Sequence, residues 1–475
     1  MEKISEELDY ATKINNHSTV SWRDIAPQNS SDISLSDASP TGPSEFIISP
    51  VVMNMADSRL EFRLEVASTN GRQNVIDADL LSLISRVVLY DSGTNALLCD
   101  INNFDKYNDM LKYNVCSEDL KSKPKYGRVP PSTLDDAKIT IREDKTLHYE
   151  NTEFSITSAT DTITQTATNV LYGRGSNGRA NAVGTGAQDV TTLEPHQGIL
   201  FTYVGANATA SVLDVSIPLK SFVGTILSQD NAIYNPTNLV LQIYWNAKNQ
   251  FGGTVANGAL LTGLPTNSLG ASVIKSLNLV LATEANTEII SRVISKVMSE
   301  GISFNAPYPS VVKHSVSANS INHAFTIQLT RAYGNRLLYL MTARYEPTTA
   351  GINNHSQGDL ERYNTTLNSV PMKYPRGFDV KAGDDYTLGN KVFIEGSCIS
   401  HPYLYRQKWV HIDSFFGDKK LCDIDYNDID GLDVSSQSSV FGWEASFTNG
   451  KAGDYYVIIM GHKQISFTSM GATIQ

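Results

Sequence analysis

Apolar and polar residues alternate strictly over Leu60-Glu-Phe62-Arg-Leu64-Glu-Val66, the pattern of a strand with one buried and one wet face. Phe46, Ile48, Val51 and Met53 open the ordered reading just before it. After a turn at Asn70-Gly71, the apolar run from Asp79 to Tyr90 divides into a short helix and then a strand. Phe104, Tyr107, Met110 and Leu111 recur at helical spacing, which predicts a helix over Phe104 to Tyr113. Further strands are expected at Ala137 to Ile141, Phe154 to Ile156 and Ile199 to Val204. The block from Leu213 to Trp245 then reads as a closing unit. A strand (Leu213, Val215, Ile217) meets Pro218 and an apolar segment of Leu219, Phe222, Val223, Ile226 and Leu227. A polar loop with Pro236 follows, then a second strand, Leu239, Leu241, Ile243 and Trp245.

The second half repeats this grammar. A strand over Val273 to Leu281 precedes the best helix in the chain, with Ile289, Ile290, Val293, Ile294, Val297 and Met298 on one face and Gly301 placed to cap it. Strands are expected at His323 to Leu329, Leu337 to Ala343, Val392 to Ile394, Tyr403 to Ile412, Val440 to Phe447, Tyr455 to His462 and Gln464 to Thr468. Long polar connections lie between them, chiefly Ser117 to Asp136, Ser158 to Gln197, Glu346 to Tyr374 and Phe416 to Ser439. Many short strands, sparse helix and long loops in two halves of similar size predict an all-β chain of two sandwiches. The expected division is a flexible polar arm at 1–44, a first sandwich at 45–250, a linker or edge loop at 251–272 and a second sandwich at 273–475.

Composition sharpens this picture. The chain has 475 residues, 41% of them hydrophobic and 18% charged, enough apolar material for two full cores. Its 22 Tyr and 16 Phe suit half-buried pleated surfaces. A net charge of −11 argues against a dedicated nucleic-acid binder, which needs clustered Lys and Arg. Cys99, Cys116, Cys398 and Cys422 form no C-x-x-C pair. They read as buried or free thiols of a reducing compartment. No run approaches a membrane span, and the acidic start MEKISEELDY lacks the apolar region of a secretion signal.

Chemistry-bearing motifs are few. Gly173-Arg-Gly175-Ser-Asn-Gly178 matches G-x-G-x-x-G, yet no helical face follows it, so it reads as a surface loop. Asp425, Asn427, Asp428 and Asp430, flanked by Asp423 and Asp433, form a weak candidate cation site. Counted from Asp425, the fifth and sixth positions are Ile429 and Asp430, so the EF-hand pattern fails. His401 and His411 are too far apart along a straight strand to share a metal. The clusters Tyr403, Tyr405, Trp409 and Tyr455, Tyr456 suit either stacking platforms or core and interface positions, with the latter favoured in strands. No catalytic triad or zinc-protease motif appears, and no cofactor is called for.

Three parts of the chain together resemble the double jelly-roll major capsid proteins of icosahedral DNA viruses, the adenovirus-hexon-like lineage, with polinton-like viruses and virophages most similar in look. They are the run from Phe46 to Tyr113, the Ile217-Pro-Leu219 … Phe222 … Leu239-Val-Leu-Gln-Ile243 ending of the first sandwich, and the C-terminal hairpin Tyr455 to Ile474 after Gly431-Leu-Asp433. The resemblance implies two consecutive jelly rolls and a non-enzymatic capsid subunit. It further implies pseudo-hexameric homotrimers that tile the shell of a virion assembled inside the host cell. Lattice neighbours, penton and minor capsid proteins, and an internal membrane beneath the shell would be the partners. The readings from other classes are a soluble carbohydrate-binding two-sandwich protein or adhesin, and a β-sandwich glycan hydrolase.

Overall fold

The computed structural model describes residues 19–67, 72–77, 80–114, 140–141, 146–149, 152–155, 173–174, 180–181, 201–206, 211–229, 232–256, 269–345, 360–372, 377–379, 410–415 and 431–475. The strands that build its two sandwiches are, in chain order, β1 (Val20–Ile25), β2 (Thr41–Ile48), β3 (Met53–Val66), β4 (Ile84–Asp91), β5 (Leu97–Asn102), β6 (Ser211–Pro218), β7 (Leu239–Trp245), β8 (Ser272–Glu284), β9 (Ile302–Leu329), β10 (Arg336–Tyr345), β11 (Leu360–Leu367), β12 (His411–Ser414), β13 (Ser439–Thr468) and β14 (Gly471–Ile474). Two helices matter for the argument, α1 (Phe104–Asn114) and α2 (Thr287–Ser299).

The first sandwich packs the antiparallel sheet β1-β8-β3-β6 against the sheet β2-β7-β4-β5. The alternation read over Leu60 to Val66 holds: Leu60, Phe62, Leu64 and Val66 are buried. Across the sandwich Phe62 meets Trp245 edge-on at 5.4 Å between ring centroids, and the Trp245 indole N–H donates to Ser44 Oγ at 2.8 Å. The apolar segment after Pro218 forms two short 3-10 turns, Leu219–Ser221 and Ile226–Ser228. Its Phe222 stacks on Phe104 of α1 at 5.0 Å.

Three expectations about the first half change. Residues 19–44 are not an arm: β1 is an edge strand paired along its length with β8, Ile33–Ser34 also pairs with β8, and β2 begins at Thr41. An edge strand with mostly exposed residues carries little apolar alternation, so its sequence looks like loop. Within the expected linker, Gly252–Ala256 pairs with Arg72–Asp77. The strand at Val273, expected to open the second sandwich, is β8 and lies between β1 and β3 of the first. Which sheet a strand joins is a long-range choice, absent from the strand's own pattern.

The second sandwich is one antiparallel sheet folded on itself. β9 and β13 pair along most of their length, and the three strands expected over Val440 to Thr468 are the single ladder β13. The pairing is interrupted between Val316 and Asn322, and the ribbon divides there. One part pairs with β10, which pairs in turn with β12, and the other part pairs with β11. Phe325 and Trp443 of the second part meet Tyr455 of the first at 5.2 and 5.9 Å, so the two parts enclose a core.

The layer made by β10 and the C-terminal half of β13 serves two cores at once. Leu337, Leu340, Tyr455, Val457 and Ile459 face the second sandwich's interior. Tyr339, Met341, Ala343, Tyr345, Tyr456, Ile458 and Met460 join the apolar cluster of the first. A strand covered on both faces reads as an unbroken hydrophobic run, as Leu337-Leu-Tyr-Leu-Met341 does.

Helix α2 sits between the sandwiches in sequence. Asn286 caps it by accepting from the Glu288 N–H at 3.0 Å, and Gly301, at φ +78°, closes it with a bond to the Lys296 carbonyl. Replacing Asn286 by alanine should cost the helix about 1 kcal/mol, read as faster amide exchange over its first turn. Its apolar face is less covered than the sequence suggests. Only Val297 is buried, while Ile289, Ile290, Val293 and Ile294 are half-buried and Met298 is 49% exposed.

Candidate functional site at the seam between the sandwiches

The chemistry-bearing side chains that the fold gathers lie between the two sandwiches. Helix α1 fills part of that seam, and both of its faces are covered. Phe104, Tyr107, Met110 and Leu111 face the first core, and Tyr107 donates its hydroxyl to the Val223 carbonyl at 2.8 Å. On the other side Asp105, Lys106 and Asp109 are also buried. Lys106 Nζ lies 2.8 Å from Asp105 Oδ2 and 5.3 Å from the centre of the Tyr345 ring. The Tyr345 hydroxyl donates to Asp109 Oδ2 at 3.2 Å. Tyr345 and Tyr456 meet edge-on at 5.3 Å, and Lys313 holds Asp454 at 2.7 Å.

Burial, reinforced by the charges of Asp109 and Asp105, raises the Tyr345 hydroxyl well above its ordinary pKa and keeps it a neutral donor. Burial likewise opposes ionisation of Asp454, but bonds from Lys313 and Ser315 outweigh it and leave that carboxyl below the usual range. Elsewhere in the core, burial drives the Tyr308 hydroxyl up to about 12 and pushes the Cys99 thiol up. A buried, neutral thiol is inert, in keeping with the reading of Cys99 as a buried free cysteine.

A second knot ties the C-terminal strand to the first sandwich. Asp91, at the end of β4, is 0% exposed. Its carboxylate accepts from the Gly93 N–H at 3.0 Å, the Thr94 hydroxyl at 2.9 Å, the Thr237 hydroxyl and the Ala472 N–H of β14 at 2.7 Å. The Thr94 Oγ1 also lies 2.5 Å from the Ala472 carbonyl. Gly471 adopts φ +113°, and a Cβ there would strike the Asp91 carboxylate. Burial pushes the Asp91 pKa up, but the bonds led by that from Thr237 outweigh it and hold the group below its ordinary value.

The residues singled out from the sequence fall elsewhere. Asp425, Asn427, Asp428 and Asp430 lie outside the described residues, as do His401, Tyr403, Tyr405 and Trp409. No group of three or more metal-binding side chains occurs among the described residues. At the glycine-rich motif, Gly173–Arg174 pairs with Ala180–Asn181 as a short antiparallel ladder. Tyr455 and Tyr456 are core and seam residues. His411 sits 3.1 Å from Asp413 and 3.2 Å from the Tyr363 hydroxyl. With His411 2% and Asp413 1% exposed, this trio lies out of reach of a substrate. His323 is similarly enclosed. Its Nε2–H donates to the Ser320 carbonyl at 3.1 Å, which leaves Nδ1 to accept from the Tyr455 hydroxyl at 2.8 Å.

The outward faces carry charge ladders. Arg63 pairs with Asp214 at 2.9 Å, Lys275 with Glu65 at 2.6 Å, and Arg86 grips Asp100 with two bonds of 2.8 Å. Trp22 on β1 is 50% exposed and lies beneath the Arg59 guanidinium at 4.7 Å.

No protein-family model and no curated protein matches the chain by sequence. Solved structures do match by fold. The crystal structure of PBCV-1 VP54, fitted into a cryo-EM reconstruction of the virophage Sputnik, is similar over 97% of this chain and 97% of its own, at 7% identity and a TM-score of 0.54. The chain is a double jelly roll. The Sputnik virophage structure at 3.5 Å is similar over 100% of this chain and 93% of its own, at 10% identity and a TM-score of 0.47. The mavirus major capsid protein is similar over 100% and 95%, at 10% identity and a TM-score of 0.45. In this double jelly roll the seam of α1, β10 and β13 and the Asp91 knot hold the two rolls side by side.

Proposed function

We propose that this double jelly roll is a major capsid protein, three copies of which close into a pseudo-hexagonal tile of an icosahedral shell. The observation that carries the reading is the pair of jelly rolls fused along a buried seam, matched along 97% of the PBCV-1 VP54 chain. Two similar lobes per chain give six per threefold ring, the shape that fills a hexagonal lattice. Cyclic closure uses heterologous contacts between neighbouring lobes, and the charged outer sheet faces with Trp22 supply surfaces of the kind such contacts need. The fused seam supports this role because each lobe then keeps a fixed angle to its partner. Tiles would meet one another, penton and minor capsid proteins in the virion, with no catalytic step.

The test is the assembly state of the purified chain. A native mass near three times the 52.0 kDa chain mass, stable on dilution, with a pseudo-hexagonal outline in negative stain, is the expected result. A monomer at every concentration that is retained on a glycan array would overturn the capsid reading in favour of a sugar-binding protein.

A further inference from the structure

The bend where the second sandwich turns on itself leaves a chemically fragile pair in the open. Asparagine is among the thermolabile residues, and a following glycine offers its backbone nitrogen without steric cover. Of the four Asn-Gly pairs in the sequence, Asn449-Gly450 is the one that lies among the described residues. On the β9 side the ladder of β13 steps from the Ser446–Asn322 pair to the Lys451–Ser320 pair, so Phe447 to Gly450 stand opposite Ile321 alone. On the β11 side the ladder ends at the Leu360–Phe447 pair. A glycine inside a strand marks such irregularities, and Thr448, Asn449 and Gly450 are all exposed.

The ends of the bend are pinned while its apex is open. The buried Arg344 guanidinium lies 4.9 Å from the centre of the Phe447 ring, and its Nη1 donates to the Ala452 carbonyl at 3.1 Å. Thr448 donates its hydroxyl to Glu361 Oε1 at 2.9 Å. Asn449 therefore stands at solvent, on a stretch free of the ladder that would hold its backbone extended.

We propose that Asn449 is a self-modification site of the folded protein, converted to aspartate and isoaspartate without an enzyme. Hydroxide takes the Gly450 amide proton, and the nitrogen bonds to Asn449 Cγ. The Cγ–Nδ2 bond breaks, and the leaving nitrogen takes a proton from water and departs as ammonia. The product is a five-membered succinimide. Water then opens the ring. Cleavage at Cγ restores the ordinary main chain and gives aspartate, while cleavage at the backbone carbonyl carbon gives isoaspartate. No electrons are transferred, and water is the only co-reactant. Arg344 sets a positive charge at the foot of the bend, which favours the anionic nitrogen that attacks.

Each event adds one negative charge to the net −11 of the chain, and the isoaspartyl product lengthens the main chain at the bend. The step runs one way, so it records the age of each folded copy. It concerns the single chain and does not depend on the capsid reading.

The experiment incubates the purified full-length protein at mildly alkaline pH beside a synthetic peptide with the sequence of residues 446–453. Peptide mapping by mass spectrometry follows both. The expected result is a gain of about one dalton at position 449, NH₂ being replaced by OH. Its rate should lie within about tenfold of the free peptide, because opening an unpaired bend costs little free energy. The rate should rise with pH, and an isoaspartyl-specific methyltransferase should label the product. Asn449→Gln should remove the gain on the same timescale, and Gly450→Ala should slow it severalfold. A folded protein that reacts more slowly than that bound, or only after denaturation, would overturn the proposal. So would an equal rate in Gly450→Ala.

Discussion

Replacing Trp443 by alanine is expected to destabilise the second jelly roll by about 3–5 kcal/mol, the range for emptying a fully buried tryptophan site. The indole stacks on Tyr363 at 5.4 Å and 15° between planes, and it also meets His411 at 5.7 Å, Tyr455 at 5.9 Å and Phe325 at 6.4 Å. These neighbours belong to β9, β11, β12 and β13, whose backbones are held by ladder hydrogen bonds and cannot collapse into the void. Because a two-lobed chain need not unfold in one step, the measurement is residue-resolved amide exchange with urea titration. The loss should concentrate on β11 and the N-terminal half of β13, while β3 and β7 of the first roll change least. Trp443→Phe should recover much of the loss. A cost under about 1 kcal/mol would mean the site relaxes, against the close packing described.

Asp91→Ala is expected to cost on the order of 3 kcal/mol, because it strands several buried donors at once. The Gly93 and Ala472 N–H groups and the Thr237 hydroxyl all lose this acceptor, while the Thr94 hydroxyl keeps only the Ala472 carbonyl. The effect should appear first as rapid exchange of the Ala472 amide and fraying of β14. Asp91→Asn, which keeps one acceptor oxygen, should cost less. The same carboxylate gives a pH signature. Its folded pKa lies below the ordinary value, so its contribution is fully present above about pH 4–5 and is lost as pH falls through the depressed folded value. Asp454 at the seam acts in the same direction. Acid unfolding below about pH 4 should therefore be gentler in Asp91→Asn than in the parent chain.

Much of the fold was legible because strand and helix periods are local. Leu60 to Val66, the Leu213 to Trp245 block and the α1 face all adopt the elements their spacing predicts. The candidate site was less legible. Asp91-Ser-Gly-Thr94 reads as a turn in sequence, and nothing in it announces a partner at Ala472, 381 residues away. Asp105, Lys106 and Asp109 look like the wet face of an amphipathic helix, yet the second jelly roll covers them. β1 was missed because an exposed edge strand has no apolar alternation to detect.

Sequence by itself determined the class of each element, the two-lobe plan and the absence of any common catalytic spacing, since these rest on residue type and short-range period. Tertiary structure alone decided which sheet claims β8, which tyrosines line the seam, and which single carboxylate receives the C-terminal strand. The reason is physical. Alternation states that a face must be buried, but not against what. Only the closed chain brings Tyr345 to Asp109 and Ala472 to Asp91.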